Sequence, residues 1–341
     1  MDSACLGMCP SELFAFRRPQ FEPAGYDLCL LEFACNDATL LGGRMLDEGR
    51  VRAAIGWAVS ELSAAGCLPV LVILPVESLR ARGGGPVRAI YRDLAERYAL
   101  PFLDGYDFLD RLAGPGAPPF RLFRDNMHIE VPVSTVLGRE LGPVLRQVLA
   151  GARPGPVEEE QGVALGLAEL AARALGPVRS VVRSTALIEG TLVLMEGDEI
   201  VEMRLEEGWE AISVIADFNL SRGVLRVSGE GSTSIFVSVK ENDPRREKPM
   251  LAIWPLRRGV GPQGGRLRLE VLRDGPAEMN ASSKSSPLGP EEVPRLAIAG
   301  FILRRRPGPL PVRRFLPGAV DLCAMIPEEG MEAHRRALAG A

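Results

Sequence analysis

The first 150 residues alternate between short apolar runs and segments with helical spacing, and this alternation constrains the fold more than any other feature. The apolar runs have the length of buried strands. They are Tyr26–Phe33, Pro69–Leu74 and Pro101–Leu103, and the helical segments are Met45–Ala65, Arg88–Tyr98 and Val133–Leu149. Strands that alternate with helices predict an α/β domain over residues 1–150, with a parallel sheet covered on both faces.

The pattern changes after this domain. Residues 151–176 contain prolines, glycines and a run of glutamates, followed by helical spacing over Val163–Leu175, which predicts a linker and a short helix. Over residues 177–305, short apolar or alternating runs are separated by turn residues, a pattern typical of a mostly antiparallel β-sandwich domain. Residues 306–341 form a Pro- and Arg-rich tail.

Composition limits which binding partners and which metal or cofactor sites we expect. The 341 residues carry 40 basic and 44 acidic side chains, so the net charge of −4 predicts neither a nucleic-acid nor an anionic-membrane partner. No apolar run reaches the ~18 residues of a membrane helix, and no signal peptide is visible, which predicts a cytoplasmic protein unless a segment upstream of Met1 carries one. Six cysteines without a C-x-x-C pair and two histidines predict no metal site. No motif indicates a cofactor or an oligomeric state.

The low histidine count makes His128 the candidate general base. The other histidine, His334, lies among glutamates and arginines near the C-terminus. Asp125 precedes His128 by three residues, and a carboxylate at this spacing in a tight turn can bond the near ring nitrogen while the far nitrogen faces the reaction. The pair follows the strand signals and precedes the helix Val133–Leu149. We therefore expect it outside the carboxyl ends of the strands, where open α/β sheets bind ligands.

Asn36 is the second candidate group. It directly follows the strand predicted over Tyr26–Phe33, so it belongs to the same edge of the sheet. An asparagine amide at this place can donate to a developing oxyanion. The alternative interpretation is a helix N-cap or an Asx-turn at the strand exit.

Together these segments resemble two sequence blocks of the SGNH/GDSL hydrolases. The third block of that family, Gly-x-Asn-Asp, is matched by Ala34-Cys35-Asn36-Asp37, with Ala34 in place of the glycine. The fifth block, Asp-x-x-His before the last helix, is matched by Asp125-Asn126-Met127-His128. The resemblance covers about residues 1–150. It implies a flavodoxin-like three-layer fold and a serine esterase or acyltransferase acting on an ester, for example an acyl group on a saccharide. It also implies His128 as the base, Asp125 as its partner and Asn36 as an oxyanion donor.

The nucleophile is the open question. Met1-Asp2-Ser3 resembles the family's first block with Met1 in place of a glycine, which makes Ser3 a candidate. However, no strand precedes Ser3, and it lies only 33 residues before Asn36. The same residues fit the family's second block, in which case the nucleophile and the first strand of the sheet lie upstream of Met1. A thiol, Cys5 or Cys35, is a further alternative.

A non-catalytic function is the rival hypothesis. In that case the α/β domain is an inactive hydrolase remnant, and the protein is a glycan- or protein-binding module. Trp209 and Trp254 in the second domain have the side chains that stack on sugar rings. Packing of both rings in the core of that domain is the alternative.

Overall fold

The computed structural model describes residues 9–116, 118–184, 189–238, 249–273, 279–280, 288 and 291–340. Its helices are α1 Leu13–Arg17, α2 Ala34–Gly42, α3 Glu48–Ala64, α4 Glu77–Arg80, α5 Gly85–Tyr98, α6 Gly105–Ala113, α7 Val131–Gly151, α8 Leu170–Arg173 and α9 Glu328–Ala339. None of these helices combines the length and the apolar composition needed to cross a membrane.

The strands are β1 Leu28–Glu32, β2 Leu68–Ile73, β3 Pro101–Asp104, β4 Val157–Gly162, β5 Leu165–Glu169, β6 Arg179–Ser184, β7 Glu189–Glu196, β8 Ile200–Arg204, β9 Trp209–Asp217, β10 Arg222–Ser228, β11 Ser232–Ser238, β12 Leu251–Val260, β13 Arg266–Leu272, β14 Met279–Asn280, β15 Arg295–Arg305, β16 Gly308–Arg313 and β17 Val320–Asp321.

The chain forms two compact units, each built from separate stretches of sequence. The first contains Phe21–Gly43, Asp47–Gly162 and Pro309–Ala341, and we call it the α/β unit. The second, the β unit, contains the described residues of Met1–Gln20, Arg44–Leu46 and Val163–Gly308. An α/β domain and a mostly antiparallel β-sandwich domain are the predicted fold classes, and both are confirmed.

A parallel sheet with the order β1-β2-β3-β17 forms the centre of the α/β unit. β1 and β2 pair from Leu28 opposite Leu68 to Glu32 opposite Val72, and β2 continues to β3. The three strands predicted for this domain are confirmed. β17, which the sequence did not predict, adds to β3 through Val320 opposite Pro101.

Helices cover both faces of β2. Every residue from Leu68 to Ile73 is buried, as expected of a central parallel strand. Leu68, Val70 and Val72 belong to an apolar cluster shared with α6, α7 and α9. Successive side chains of a strand point to opposite faces, and α3 and α5 also contact β2. The predicted helices correspond to α3, α5 and α7, whereas α2 and α6 were not predicted.

The sheet has an open edge at β1. Among the described residues this strand pairs only with β2. The Leu30 side chain, in the middle of β1, is 38% exposed, whereas its neighbour Val70 on β2 is fully buried. An unpaired parallel edge leaves backbone N–H and C=O groups available to a further strand.

The observed units differ from the predicted boundaries at the linker and the tail. Within residues 151–176, Val157–Gly162 forms β4 and pairs with β16. The predicted tail, 306–341, returns to the α/β unit, because Phe315, Leu322 and Met331 are buried in the apolar cluster beneath the parallel sheet. A Pro- and Arg-rich composition concealed these few apolar anchors.

The β unit is a hydrogen-bonded network of β5 to β15 around one apolar core. β15 is central to it and pairs antiparallel with β5, β7 and β9. The buried side chains come from most of these strands and include Val214, Leu225 and Phe301. The strand runs predicted over residues 177–305 agree with β7 to β13 and β15.

One predicted helix is wrong over most of its length. Val163–Leu175 has helical spacing, but Leu165–Glu169 forms strand β5, and only Leu170–Arg173 is helical. The reason is tertiary, because β5 pairs with β15 along Gly300–Arg304. A stretch of five residues gains more from strand partners than from its intrinsic helix propensity.

The layered core predicts a contrast between two leucines. We expect Leu71→Ala in β2, fully buried, to lower the free energy of unfolding by about 2–5 kcal/mol, because it leaves a cavity. The matched control Leu30→Ala on the exposed edge strand should cost about 1 kcal/mol or less. Urea unfolding of the two variants measures the difference. Equal losses would contradict the assignment of β2 as central and β1 as edge.

Candidate functional site

The carboxyl ends of β2 and β3 are in close contact, and this brings their loops together. At Gly105, which follows β3, an added Cβ atom would lie 2.6 Å from the carbonyl oxygen of Ile73 at the end of β2. Only glycine permits this approach. The next residue, Tyr106, accepts a hydrogen bond on its hydroxyl oxygen from the backbone N–H of Val76 at 3.0 Å.

A compact turn before α7 joins the same edge. Phe123 and Ile129 form an isolated antiparallel bridge that closes the turn, and the N–H of Arg124 donates to the carbonyl oxygen of His128 at 2.8 Å. The N–H of Glu77, the first residue of α4 after β2, donates to the carbonyl oxygen of Asn126 at 3.2 Å. The turn that carries the candidate base is therefore held at the carboxyl end of the sheet.

Asp125 and His128 form the predicted pair within this turn. The His128 Nδ1 atom lies 2.8 Å from Oδ1 and 3.0 Å from Oδ2 of Asp125. Asp125 Oδ1 also accepts the backbone N–H groups of Met127 and His128, each at 2.9 Å. The carboxylate thus shapes the turn and orients the imidazole that the turn carries.

The pKa of the Asp125 carboxyl is lowered although the group is exposed. Hydrogen bonds from the Met127 backbone and from the His128 side chain lower its pKa from 3.8 to about 2. An ionised carboxylate on Nδ1 favours the tautomer with the proton on that nitrogen and stabilises the imidazolium. The His128 side chain is 63% exposed. Its Nε2 atom makes no hydrogen bond with the described residues, so it is accessible as the proton-accepting nitrogen.

Asn36 lies at the exit of β1, in the first turn of α2. The N-cap of that helix is Phe33, so Asn36 is not the helix cap that the sequence left as an alternative. The asparagine is partly exposed, and the described part of the chain offers its side-chain amide no hydrogen-bond partner. These properties suit a group that donates to a ligand.

Cys35, at the exit of β1, is a predicted alternative nucleophile with a raised pKa. Burial raises the pKa of its thiol to about 11, and the negative charges of Glu32 and Asp125 act in the same direction. Asp125 is thus close enough to Cys35, the neighbour of Asn36, to act on it electrostatically. The same shift keeps the thiol protonated at neutral pH and disfavours Cys35 as a nucleophile.

Two acids near Asn36, one fully buried and one partly buried, were not predicted as site residues. Asp37 is fully buried, and its Oδ2 atom accepts a hydrogen bond from the Tyr91 hydroxyl at 2.9 Å. Glu32 ends β1, and one of its carboxylate oxygens is buried without a hydrogen-bond partner in the described structure. A usable signal existed for Glu32, since it is a charged residue inside the apolar run Tyr26–Phe33.

The remaining predicted groups lie elsewhere. Ser3 and Cys5 fall outside the described residues. Trp209 and Trp254 both pack against the core of the β unit, and the Trp254 ring contacts Phe218 in a tilted arrangement with ring centroids 5.1 Å apart. Both rings therefore contribute to core packing. Over the residues that the structure covers, no cluster of three or more His, Cys, Asp or Glu side chains could hold a metal ion.

Comparison with known proteins identifies a fold. No protein-family model and no curated protein matches the sequence. Among solved structures, a two-domain esterase (CEX) active on acetylated mannans, co-crystallised with mannopentaose, superposes with a TM-score of 0.56 at 11% identity. That match covers 87% of this chain and 77% of the other. A second structure of a two-domain esterase (CEX) active on acetylated mannans gives 0.53 at 13% identity, with coverages of 88% and 78%. The chain shares the two-domain fold of these esterases.

The hydrogen bond between the His128 ring and the Asp125 carboxylate predicts a shift in the pKa of Asp125 when the ring is removed. In His128→Gln, the pKa of Asp125 should rise from about 2 towards 3.8, because the side-chain bond is lost, and it should stay below 3.8 because the Met127 amide remains. Carbon-13 NMR of the carboxyl group measures this. The control is His334→Gln, whose ring bonds Glu140 at 2.7 Å and whose loss should leave Asp125 unchanged. An unaltered Asp125 titration in His128→Gln would show that the pair does not form.

Proposed function

We propose that this protein is a serine ester hydrolase or acyltransferase of the SGNH/GDSL type that acts on an acyl group carried by a saccharide. The main support is the hydrogen bond between Asp125 Oδ1 and His128 Nδ1, which is 2.8 Å long and lies at the carboxyl edge of a parallel sheet. Asn36 at the exit of β1 supports it. The fold shared with two-domain esterases is consistent with the proposal, and the proposed activity rests on the site residues.

The proposed reaction is acyl transfer in two steps. A serine hydroxyl attacks the ester carbonyl carbon while its proton passes to Nε2 of His128. The carbonyl oxygen becomes an oxyanion, which accepts a hydrogen bond from the Asn36 amide. Collapse of the intermediate breaks the bond to the sugar oxygen, which takes the proton from His128, and leaves an acyl-serine. Water, or a second alcohol in a transferase, then attacks the acyl-serine and gives its proton to His128. The bond to the serine oxygen breaks, that oxygen takes the proton back from His128, and the free acid or the new ester leaves.

Asp125 supplies the electrostatic part of this mechanism. Because its pKa is about 2, the carboxylate is ionised at every pH at which such an enzyme operates. It therefore stabilises the positive imidazolium that forms when His128 takes the serine proton. Asn36 performs the opposite task and stabilises negative charge on the substrate.

The proposed nucleophile is Ser3 or a serine on a strand upstream of it. The open edge of β1 favours the second alternative. A further parallel strand at that edge would end beside Glu32 and the first turn of α2, since carboxyl ends of parallel strands meet at one edge of the sheet. A serine that follows such a strand would lie at the same edge of the sheet as Asn36 and His128.

An acetylated saccharide is the proposed substrate class. Its support is the solved esterase described as active on acetylated mannans, which has a second domain like this chain. Acetylated mannan and a simple aryl acetate are therefore the first substrates to assay. They separate an ester hydrolase in general from one that recognises the sugar.

Kinetics of variants test the proposal. We expect His128→Ala to lower kcat/KM for aryl acetate about 10³-fold or more, because the base is lost, and Asn36→Ala about 10²–10³-fold, because one oxyanion donor is lost. His334→Ala is the matched control and should keep full activity. Activity that persists unchanged in His128→Ala would contradict the mechanism.

Ser3→Ala separates the two nucleophiles. Loss of activity in that variant assigns the role to Ser3, whereas full activity places the nucleophile on another serine. The protein should be assayed both as the present sequence and with any in-frame residues encoded before Met1. Absence of esterase activity from both forms, with binding of mannan oligosaccharides, would favour the rival hypothesis of a glycan-binding module.

A further inference from the structure

A network of two arginines and two aspartates surrounds the exit of β3 and takes no part in the proposed mechanism. Its centre is Asp104, the last residue of β3, which is fully buried. Asp104 Oδ2 accepts hydrogen bonds from Arg88 Nε at 2.7 Å and from Arg92 Nε at 2.6 Å. Both guanidinium groups also bond Asp107. Buried ion pairs add little stability compared with apolar packing, but they can select one arrangement of the side chains around them.

Tyr106 is the side chain that this network holds in place. Its backbone N–H donates to Asp104 Oδ1 at 3.0 Å, and the Arg88 guanidinium carbon lies 5.2 Å from the centre of its ring, within cation–π distance. Gly84 also lies against the ring, since an added Cβ atom there would be 2.9 Å from Tyr106 Cε2. The tyrosine is only 3% exposed. Its hydroxyl therefore has a fixed position at the carboxyl edge of the sheet.

Two consecutive backbone amides join this hydroxyl to the turn that carries the candidate base. The N–H of Val76 donates to the Tyr106 hydroxyl oxygen at 3.0 Å. The next N–H, that of Glu77, donates to the carbonyl oxygen of Asn126 at 3.2 Å, and Asn126 lies two residues before His128. The segment after β2 thus connects the exit of β3 to the base-bearing turn.

We propose that Tyr106 is a positioning residue for His128, because its hydroxyl fixes the Val76 amide and so places the adjoining Glu77 amide that holds the turn. This role rests on the proposed function, in which His128 is the base. Tyr106 does not contact the substrate in this role and acts only through the backbone.

The base-bearing turn needs a contact of this kind at its tip. Phe123 anchors the start of the turn in the apolar cluster beneath the sheet. The hydrogen bond from the Arg124 N–H to the His128 carbonyl oxygen closes the turn on itself and does not join it to the sheet. The bond from Glu77 to Asn126 lies at the tip, beside the imidazole. A small displacement of a catalytic group is costly, since a shift of about 1 Å can lower a rate about 10²-fold.

Amide hydrogen exchange in Tyr106→Phe tests the role without an activity assay, because the variant keeps the ring and removes only the oxygen. We expect the Val76 and Glu77 amides to exchange about tenfold faster, since the first loses its acceptor and the second is held less firmly. The Arg124 amide, which bonds within the turn, and the amides of the buried strand β2 should exchange as in the native protein.

Tyr98→Phe is the matched control. Tyr98 is a buried tyrosine at the end of α5, just before the amino end of β3. Its hydroxyl lies against α3, where a Cβ atom added at Gly56 would be 3.0 Å from it. Removing this oxygen should leave the exchange of Val76 and Glu77 unchanged.

Steady-state kinetics supply the second readout in an active enzyme. Tyr106→Phe should lower kcat for aryl acetate about 10- to 10²-fold and leave KM unchanged, because a displaced base weakens transition-state stabilisation and not substrate binding. The exchange measurement does not depend on activity, so failure of the proposed esterase function is seen separately, in the assays of His128→Ala.

Three results would overturn the inference. The first is a Val76 amide that is unprotected from exchange in the native protein, which requires no variant to fold. The second is unchanged Glu77 exchange, or unchanged kcat, in a folded Tyr106→Phe protein. The third is exchange that is faster by the same factor throughout β2, which would show a general loss of stability instead of a detached turn.

Discussion

Parallel pairing of β1 with β2 and of β2 with β3 is the constraint on which the rest of this protein depends. It directs all three carboxyl ends to one edge of the sheet. Each functional group then needs only a short loop to reach that edge. Asn36 follows β1, the Val76 loop follows β2, Tyr106 follows β3, and the turn before α7 is bonded to the loop after β2. The close approach at Gly105 fixes the two central loops against each other. The candidate site is therefore a consequence of topology rather than of any one loop.

Two of the carboxyl groups at the site, those of Asp125 and Glu32, have opposite environments. Asp125 is exposed and receives hydrogen bonds from Met127 and His128, so its pKa falls to about 2. Glu32 is partly buried at the end of β1, and desolvation raises its pKa to about 7. Environments that separate the pKa values of neighbouring acids commonly assign them different roles. Here the ionised carboxylate of Asp125 lies 2.8 Å from the His128 ring nitrogen Nδ1.

Much of the architecture could be predicted from the sequence, and the remainder depended on tertiary contacts. Apolar run length identified β1, β2 and β3, and the spacing of Asp125 and His128 predicted the bond between them. Periodicity failed at Leu165–Glu169, where pairing with β15 outweighs helical spacing. Composition concealed the return of the C-terminal segment, because a few buried residues such as Phe315 and Met331 anchor an otherwise polar stretch. Glu32 was visible as a charge within an apolar run, but its unpartnered oxygen is a property of packing that no sequence pattern encodes.

The central claim is that His128 activates a serine at the carboxyl edge of the parallel sheet. The most direct measurement is covalent labelling with a fluorophosphonate, a reagent that reacts with activated serines, followed by mass spectrometry of the labelled peptide. The account predicts one labelled serine in the native protein and none in His128→Ala, while His334→Ala is labelled normally. The labelled peptide also identifies the nucleophile. Labelling of the same serine to the same extent in His128→Ala, or no labelling in a folded native protein, would contradict the account.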